Sequence, residues 1–588
     1  MPWVHPRPDV FGTVTVTSML LMAMAAAALA ALLAVAAVRL ARERRLARIR
    51  AAWGKPVHRT RRMDAIAASH RSRLARTNPA PSLDDRTWTD LDLDAVFGAI
   101  DRTQSTLGQH ALYHRLRTSP AGGHLGPFEA LVARMQRDAA VRERAQLALD
   151  RLQDPHGYDI WWLAGSDAVE QRGWYRMFPL LCFTTLVAAV LSPFWPLGLT
   201  PVFLLLGLNV AIRYMTDPHV RTIAVTFRQC APLIATAEEL QFLAGPDIDP
   251  IVGSVRSALP AVRRLKLISR WINGNPFLLS TGSGGFAILL SDFVGAVYEY
   301  LNLALLLDGT GVYFGTRDLS RAGGSLVRIV AATSEVDAAI SVASYRAGRD
   351  DWTRPDFRVD AAATELVDLR HPLLDSAVPN SITIKAGHGV LVTGSNMSGK
   401  STFLRTVGVN AVLAQTINTC LAREYRAPMF HVRSCIGRAD DILTGTSYYI
   451  AEVEALLELV RASTGPAPHV FLLDELFRGT NAVERIAAGQ AVLTQLLEAA
   501  GGRGKRHVVL AATHDLELVE LASDRYEPYH FGDSVGPDGL LFDHRLQRGP
   551  STSRNAIALL RLHGAPDALI SRAMTTAAML DEQRARVR

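Results

Sequence analysis

The sequence predicts an α/β domain with a mostly parallel sheet over residues 356–588, preceded by a mostly helical core and by apolar N-terminal segments. Short β-rich runs alternate with helical patterns after Pro355, apolar residues recur at helical spacing before it, and two long stretches carry no charge. Strands that alternate with helices are typical of a parallel sheet covered on both faces. A chain of 588 residues is also too long for one hydrophobic core, so we expect two or more domains.

The composition limits the classes of protein to which the chain can belong. Apolar residues make up 49% of the sequence, a high share for a soluble enzyme, which predicts that part of the chain lies in lipid. The four cysteines are widely scattered without zinc-ligand spacing, which disfavours a disulfide framework and a zinc site and fits a reducing cytoplasm. The net charge of +7 is modest, but much of the basic excess follows the first apolar run.

That first apolar run predicts a transmembrane anchor over residues 1–38. No charged residue occurs from Val10 to Val38, and a helix needs about 20 apolar residues to cross the hydrocarbon core of a bilayer. Arginines cluster directly after it, which predicts that the N-terminus faces outward and that the rest of the chain is cytoplasmic. A cleaved signal peptide is the alternative, but the run is long for a signal and no strongly positive stretch precedes it.

Residues 39–90 are predicted to form a basic juxtamembrane linker. They are rich in arginine, contain prolines and have an irregular pattern after a short Arg-rich helix. Such a block next to a membrane helix attracts anionic lipid headgroups. The same arginines could bind the phosphates of nucleic acid, and charge alone does not separate the two partners.

A second uncharged run, residues 177–212, predicts an apolar hairpin that enters and leaves the membrane on the cytoplasmic side. Prolines at 193, 196 and 201 interrupt it, and its length exceeds one bilayer crossing but falls short of two. Arginines flank it on both sides, which favours two cytoplasmic ends. A buried helical hairpin in a soluble core is the alternative.

The remaining residues before 356 show the spacing of a helical core, over 91–176 and again over 213–355. A weaker apolar patch, Trp271–Leu307, contains several polar and charged residues and is predicted to be packed core rather than a membrane span. Breaks between helices are predicted at Gly245–Pro246, Asn273–Gly274 and Gly323–Gly324.

Residues 394–401 fit the GxxxxGK[ST] pattern of a phosphate-binding loop. The pattern follows the apolar run Val390–Thr393 and precedes a helical run, which is the strand–loop–helix context that such a loop needs. Glycines let the backbone wrap around phosphates, Lys400 is expected to reach the β- and γ-phosphates, and the Ser401 hydroxyl is expected to bind Mg²⁺. The predicted ATP-binding residues are Gly394, Ser395, Asn396, Met397, Ser398, Gly399, Lys400, Ser401 and Thr402.

Two further predicted strands end in polar residues that complete this site. The run His469–Leu473 leads into Asp474, expected to bind Mg²⁺, and Glu475, expected to orient and deprotonate the attacking water. The run 508–512 leads to His514, at the edge of an α/β sheet where ligands bind. His514 is predicted to contact the γ-phosphate and to position water. The candidate catalytic residues are Lys400, Glu475 and His514.

Together these motifs resemble the ATPase of the MutS family of DNA mismatch repair proteins. The likeness is strong over about 356–580 and weak over about 91–346, where the start of the family's helical core is matched. The segments that carry it are 394–402, 472–481 and 512–515, with 438–447 similar to the family's signature loop, 549–573 similar to its closing segment and 100–112 similar to the start of its core.

The resemblance implies that residues 356–588 form an α/β P-loop ATPase domain of the ABC class, with C-terminal dimerisation helices and a preceding helical core or lever. ATP and Mg²⁺ are the implied ligands. Two such domains meet head to tail, so the resemblance implies a homodimer in which Ser447 of one subunit caps the nucleotide held by the other. Activity is therefore expected to need the dimer.

Departures from the family pattern place mismatch recognition in doubt without affecting the nucleotide site. The repair enzymes begin with a DNA-reading domain, whereas an anchor and a basic linker are predicted in that place here. Ser395 stands where the repair enzymes usually have proline, and Phe477 stands where they usually have glycine. The apolar hairpin also interrupts the helical core.

Three functional hypotheses follow from the sequence. The first is a membrane-anchored MutS-like ATPase that self-associates and contacts membrane lipid, with its ATPase domain in the cytoplasm. The second is a DNA mismatch repair or recombination clamp that binds mismatched or branched DNA, motivated by the arginines of residues 39–76 and the resemblance of the core. The third is an ABC-type export ATPase, which the small number of apolar segments disfavours.

Overall fold

A computed structural model describes most of the chain and divides it into two compact units. The first unit takes residues 1–55, 103–109 and 133–340, and the second takes 56–102, 110–132 and 341–588. The described residues are 10–75, 82–118, 125–153, 171–195, 197–272, 285–358, 362–395, 397–437, 448–498, 507–536, 539–551 and 556–587.

Before residue 350, the described part of the chain is mostly helical, as the apolar spacing predicts. Short 3₁₀ turns at 150–152, 173–176, 192–194 and 241–243 adjoin several of these helices. The described α-helices are α1 Val10–Ala52, α2 Met63–Leu74, α3 Asp85–Asp90, α4 Leu93–Ile100, α5 Thr106–Arg117, α6 Gly126–Arg137, α7 Ala139–Leu149, α8 Met177–Leu191, α9 Leu199–Arg228, α10 Cys230–Leu240, α11 Asp249–Ile272, α12 Gly285–Leu305 and α13 Leu307–Ala347.

The structure agrees only in part with the linker expected over residues 39–90. The Arg-rich helix is present as the end of α1, which reaches Ala52, but the residues expected to be irregular after it also form α2 and α3, which bury Ile66 and Trp88. Several of the arginines have acidic partners within their own unit: Arg59 and Arg61 lie 2.5 and 2.7 Å from the carboxylate of the buried Asp101. A block of like charge can therefore belong to a folded domain when the acids that pair with it are distant in sequence.

A predicted break is also wrong, because Gly323–Gly324 lies inside the uninterrupted helix α13. Glycine in a helix interior costs roughly 1 kcal/mol relative to alanine. The helix buries Leu319, Leu326 and Ile329 within the first unit. Burial of such an apolar face outweighs weak local propensity. The break at Gly245–Pro246 is observed, and Asn273–Gly274 lies outside the described residues.

The uncharged run 177–212 forms two helices that pack against each other, α8 and α9, joined by a bend at 192–198. Helix α9 continues past the predicted end of the run to Arg228. By length and composition, Gly173–Phe194 and Leu199–Thr216 could each cross a membrane, and only 17% and 6% of these windows is buried. The alternative prediction, a hairpin buried in a soluble core, expects most of these residues to be buried, whereas most of them are exposed. In the described part of the Trp271–Leu307 patch, Tyr300 and Leu301 are exposed while Asn302 is buried, so the patch is only partly core.

The C-terminal region contains two sheets. The strands are β1 Asp356–Phe357, β2 Ala363–Leu369, β3 Asn380–Lys385, β4 Gly389–Thr393, β5 Glu424–Ala427, β6 His431–Ile436, β7 His469–Asp474, β8 Val508–Ala512, β9 Tyr526–Gly536 and β10 Gly539–Arg548. Five parallel strands and one antiparallel edge strand form the larger sheet, in the order β10-β9-β4-β8-β7-β6. The smaller sheet has the order β1-β5-β2-β3.

Helices cover both faces of the larger sheet. On β7, Phe471 packs in a cluster with Leu493 of one helix, while the next residue, Leu472, packs against Gly408 of another. A Cβ on Gly408 would lie 2.5 Å from Leu472, so glycine permits this close approach. The described helices of this region are α14 Lys400–Ile417, α15 Tyr448–Ser463, α16 Ala482–Glu498, α17 Leu516–Leu521, α18 Ala556–Leu562 and α19 Asp567–Val587.

The C-terminal end of α14 is held by Arg346, a fully buried arginine. Its guanidinium donates to the carbonyls of Ile417 and Asn418 at 3.1 and 2.9 Å. It also makes a two-pronged ion pair with Glu129, at 2.9 and 2.7 Å. A cation at the C-terminus of a helix complements the helix dipole and satisfies carbonyls that have no partner within the helix. The helix that follows the 394–401 loop is therefore anchored at its far end.

We expect Glu129→Gln to lower the free energy of unfolding by about 3 kcal/mol, because it leaves the buried Arg346 charge without its carboxylate. Urea unfolding of the purified chain measures this change. The matched control is Glu365→Gln, which breaks the half-exposed pair with Arg426 and should change stability far less. Equal effects of the two substitutions would contradict the role given to Arg346.

Candidate functional site

The candidate site lies at one edge of the larger sheet, where three parallel strands end. Ala512 at the end of β8 pairs with Val392 of β4 on one side and with Asp474 of β7 on the other. Parallel strands end at the same edge, so the segments that follow β4, β7 and β8 come together there. The sequence places its predicted site residues in these three segments.

The loop after β4 has a backbone that requires glycine at two positions. Gly394 has φ +141° and Gly399 has φ +117°, a region that residues with a Cβ rarely adopt. A Cβ on Gly394 would also lie 2.8 Å from the Ser398 hydroxyl and 3.0 Å from the Phe531 carbonyl. Helix α14 begins directly after the loop, so its unpaired N–H groups point toward it. Such a loop can surround an anion.

The side chain of Lys400 folds back onto the loop and contacts its backbone. Its ammonium donates to the carbonyls of Gly394 and Ser395 at 2.9 and 3.0 Å, and it lies 3.3 Å from His514 Nε2. The side chain is buried, and burial lowers the pKa of Lys400. The loop therefore contains a positive charge that can turn from backbone carbonyls to an incoming phosphate.

Ser401 and Asp474 form a pair of oxygen ligands suited to Mg²⁺. The Ser401 hydroxyl donates to Asp474 Oδ2 at 2.5 Å. Asp474 Oδ1 is buried and has no hydrogen-bond partner among the described residues. Burial raises the pKa of Asp474, because the ionised carboxylate loses its hydration when it is away from water. A hydroxyl beside a carboxylate with a free oxygen matches the hard ligands that Mg²⁺ prefers, so the residues fit the ion.

Glu475 is held between Arg478 and His514. Its carboxylate pairs with Arg478 Nε, and Glu475 Oε1 lies 3.0 Å from His514 Nε2. The hydrogen bond from His514, with a further contribution from Arg478, lowers the pKa of Glu475 to about 2. The group is therefore ionised at every pH well above 2. In this arrangement it can orient water, but it is a weak proton acceptor while both partners contact it.

The turn after β7 holds two residues other than glycine in the left-handed region of the backbone. Glu475 and Phe477 have φ +51° and +57°, a conformation that glycine adopts most readily. The turn is stabilised by the buried Glu452, whose carboxylate accepts a hydrogen bond from the Phe477 N–H at 2.5 Å, and the Phe477 ring is buried in the core.

A cavity of about 460 Å³ lies beside the loop and has a size suited to a small organic ligand. Its walls include Lys400, Ser401 and Glu475 of the predicted site, together with His371 and His544, which the sequence analysis missed. His544 Nδ1 lies 3.0 Å from the Ser398 carbonyl, so its ring is fixed against the loop. No local motif marks either histidine, and His544 reaches the loop because β10 pairs with β9 and β9 pairs with β4.

The structure brings together Lys400, Ser401, Asp474, Glu475 and His514, as predicted from the sequence. Thr402, Ser395, Met397 and Gly399 also line the cavity. Asn396 and Ser447 lie outside the described residues, as does the rest of the signature-like segment 438–447.

A parallel sheet with a glycine-rich strand–loop–helix turn and acids at its C-terminal edge is the architecture of nucleotide-binding α/β domains. Comparison with known proteins gives a narrower assignment. Residues 390–581 match the family model described as MutS domain V. This match supports membership of the MutS family over the C-terminal part of the chain. A helical region followed by α/β sheets also fits the architecture of that family.

The similar curated proteins carry the same family name. The DNA mismatch repair protein MutS of Natronomonas pharaonis is 32% identical over 250 residues, which cover 41% of this chain and 28% of that protein. The DNA mismatch repair protein MutS 2 of Halobacterium salinarum is 33% identical over 273 residues, covering 45% and 30%. The Thermus thermophilus DNA mismatch repair protein MutS is 33% identical over 273 residues, covering 45% and 31%. The chain thus spans less than a third of the length of these relatives.

We expect Asp474→Asn to weaken the dependence of nucleotide binding on Mg²⁺. The amide keeps the size of the side chain but removes the charge and one hard oxygen, so the Mg²⁺ concentration for half-maximal binding should rise at least about ten-fold. Titration of a fluorescent ATP analogue with Mg²⁺ measures this. Asp524→Asn, at an exposed aspartate outside the site, should leave the titration unchanged. An unchanged titration in Asp474→Asn would remove Asp474 from the metal site.

Proposed function

We propose that this chain is a MutS-type ATPase that binds ATP with Mg²⁺ and hydrolyses it at the edge formed by β4, β7 and β8. The observation that carries the proposal is the grouping of Lys400, Ser401, Asp474 and Glu475 around one glycine-rich loop. The match to MutS domain V and the similarity to mismatch repair proteins support it.

In the proposed mechanism, the loop and the first turn of α14 bind the phosphates through backbone N–H groups. Lys400 leaves the carbonyls of Gly394 and Ser395 and contacts the terminal phosphates. Ser401 and Asp474 would hold Mg²⁺, which supplies a positive charge that offsets the charge on the transferring phosphoryl group. The site can therefore stabilise charge that develops in the transition state.

Glu475 and His514 act on the attacking water in this proposal. The carboxylate of Glu475 accepts a hydrogen bond from water and directs its oxygen toward the γ-phosphate. While Arg478 and His514 contact it, the low pKa of Glu475 makes it a poor base. Release of either contact raises the pKa of Glu475 and makes it a better proton acceptor. His514, which lies between Glu475 and Lys400, is placed to exchange its contact with the carboxylate for one with the phosphate.

The proposal includes a homodimer and attachment to a membrane. ABC-class domains work head to tail, so Ser447 of one subunit would cap the nucleotide bound by the other. The two exposed apolar helices at 173–216 support contact with lipid, and the uncharged first part of α1 supports an anchor at the N-terminus. The arginines that follow Val38 favour a cytoplasmic ATPase domain.

Glu475→Gln should abolish turnover while ATP binding is retained. The amide cannot accept a proton from water, so the rate of ATP hydrolysis should fall at least about 100-fold. Phosphate release and binding of a fluorescent ATP analogue, measured on the same preparation, separate the two effects. Glu498→Gln, at an exposed residue near the end of α16, is the matched control. Turnover that persists in Glu475→Gln would show that the proposed mechanism is wrong.

A second candidate function is a DNA clamp, favoured by the names of the similar proteins and by exposed arginines on α1. Arg45 and Arg50 pair with Asp150 and Glu143. Arg42, Arg44 and Arg48 are exposed. Exposed arginines can bind phosphates of DNA or of lipid headgroups, and DNA binding has a characteristic salt dependence.

If the chain binds DNA through these arginines, the logarithm of the binding constant should fall linearly with the logarithm of the salt concentration. Replacement of Arg42, Arg44 and Arg48 by glutamine should reduce that slope by about 3, roughly one for each lost phosphate contact. Fluorescence anisotropy with duplex and branched DNA measures both quantities. A lack of binding at low salt, or a slope unchanged by the substitutions, would contradict a DNA clamp of this kind.

A further inference from the structure

The helices α8 and α9 expose large apolar side chains over the length of the uncharged run. Leu180 and Phe183 on α8 are 62% and 65% exposed, and Phe203 and Leu204 on α9 are 68% and 71% exposed. An exposed apolar surface that continues along two helices is unusual for a face that contacts water. A lipid bilayer is the partner whose chemistry matches it, because no charged residue occurs between 177 and 212.

The base of the hairpin has the residues typical of a membrane–water boundary. Arg213 is the first charged residue after the run, and it pairs with Glu299 of α12 at 2.8 Å. Beside this pair, Tyr214 and Tyr300 are 78% and 74% exposed, and Arg213, Glu299 and both tyrosines line one cavity. Tyrosine and arginine are enriched at the headgroup level, where an apolar ring or stem meets a polar group. The boundary is therefore placed at the level of Arg213.

Counted over the uncharged residues alone, the two arms are shorter than the hydrocarbon core, although the full windows Gly173–Phe194 and Leu199–Thr216, which include flanking arginines, reach about its thickness. Helix α8 has 15 residues, and the residues of α9 from Leu199 to Ile212 are of similar number, so each arm is about 21 to 23 Å long. The hydrocarbon core of a bilayer is about 30 Å thick. Measured from the boundary at Arg213, the bend at 192–198 therefore ends within the hydrocarbon or at its far margin.

The bend itself has the chemistry of a segment that stays in lipid. Phe194, Trp195 and Leu197 are 81%, 73% and 78% exposed, and none of residues 192–198 is charged. Prolines at 193 and 196 have no N–H group, so the bend has fewer donors that would need a partner in lipid. A bend that emerged into water on the far side would be expected to carry polar or charged residues.

Two backbone N–H groups in or next to the bend donate hydrogen bonds to carbonyls of the bend. Gly198 N–H donates to the Trp195 carbonyl at 3.0 Å, and Thr200 N–H donates to the Leu197 carbonyl at 3.1 Å. The bend is tight, because a Cβ on Gly198 would lie 2.3 Å from the Ser192 carbonyl oxygen. The few polar side chains are also internal: the Ser192 hydroxyl donates to the Ala189 carbonyl at 2.8 Å.

An amide between the helices fixes the hairpin against α12. Asn209 is fully buried, and its side-chain amide donates to Thr185 of α8 at 3.0 Å and to the Ala304 carbonyl of α12 at 2.6 Å. An amide that donates to neighbouring helices rather than toward the outside is typical of helices packed in lipid. One side chain thus holds both arms and a neighbouring helix.

We propose that residues 177–212 form a re-entrant membrane hairpin, which enters the bilayer at the level of Arg213 and Tyr214 and whose bend at 192–198 does not emerge on the opposite side. This deepens the membrane attachment in the proposed function and rests on it. It differs from two transmembrane spans, because the bend contacts hydrocarbon rather than water on the far side.

The test is thiol labelling of the full chain reconstituted in vesicles of phosphatidylcholine and phosphatidylglycerol. Single cysteines replace Leu197 in the bend, Tyr214 at the boundary and Leu267, an exposed residue of α11. A charged, membrane-impermeant maleimide is supplied either outside or enclosed within the vesicles. The parent chain, in which Cys182, Cys230 and Cys420 are buried and Cys435 is partly exposed, is labelled in parallel and gives the background.

We expect Leu197→Cys to react at least about ten-fold more slowly than Leu267→Cys with reagent on either side, because a charged reagent does not enter hydrocarbon. Detergent should restore its reactivity, and Tyr214→Cys should react from the same side as Leu267→Cys. Rapid reaction of Leu197→Cys with enclosed reagent would show a complete crossing and overturn the proposal. Rapid reaction from the side that labels Leu267→Cys would place the hairpin outside lipid and overturn it as well.

Flotation of the vesicles and ATP hydrolysis separate this proposal from the proposed function. A chain that floats with vesicles but labels rapidly at position 197 keeps its membrane attachment and loses the re-entrant hairpin. A chain that does not float contradicts both the attachment and the hairpin, whereas its rate of ATP hydrolysis independently tests the nucleotide site. Flotation combined with protection of position 197 supports the hairpin whatever the rate of hydrolysis.

Discussion

The parallel pairing of β4, β8 and β7 is the constraint on which the candidate site depends. Three strands separated by long stretches of sequence end at one edge, so a glycine-rich loop, two acids and a histidine meet there. Gly408 lets α14 approach β7 closely, and Arg346 fixes the opposite end of α14. The position of the loop is thus set by packing on one side and by a buried ion pair on the other.

Within that edge, polar side chains hold one another in place. Lys400 contacts backbone carbonyls and approaches His514, while His514 and Arg478 hold Glu475. Each of these contacts can be exchanged for one with a phosphate or with water. The low pKa of Glu475 is a property of this arrangement, and it should rise when either His514 or Arg478 moves away. In this way, a few side chains can couple nucleotide binding to the activation of the attacking water.

The sequence allows prediction of three strands of the larger sheet, β4, β7 and β8, because the informative residues are adjacent to one another along each strand and its following loop. It does not reveal β6, β9 and β10, or His544, which contacts the loop because β10 pairs with β9 and β9 pairs with β4. The helices α2 and α3 are not predicted within residues 39–90, because Asp101, the acid that pairs with Arg59 and Arg61, is distant in sequence. The break predicted at Gly323–Gly324 is absent, because burial of the α13 face outweighs local propensity. Long-range packing is the information that local patterns lack.

We propose that the nucleotide site built on one subunit is completed by Ser447 of a second subunit. The most direct measurement is ATP hydrolysis by a mixture of Lys400→Ala and Ser447→Arg chains, each inactive alone. A head-to-tail dimer of the two variants retains one intact site, so equal mixing should restore about a quarter of the parent rate, since half of the dimers then carry one of two sites. Absence of any recovery, or a Ser447→Arg chain that alone hydrolyses ATP at the parent rate, would contradict the composite site.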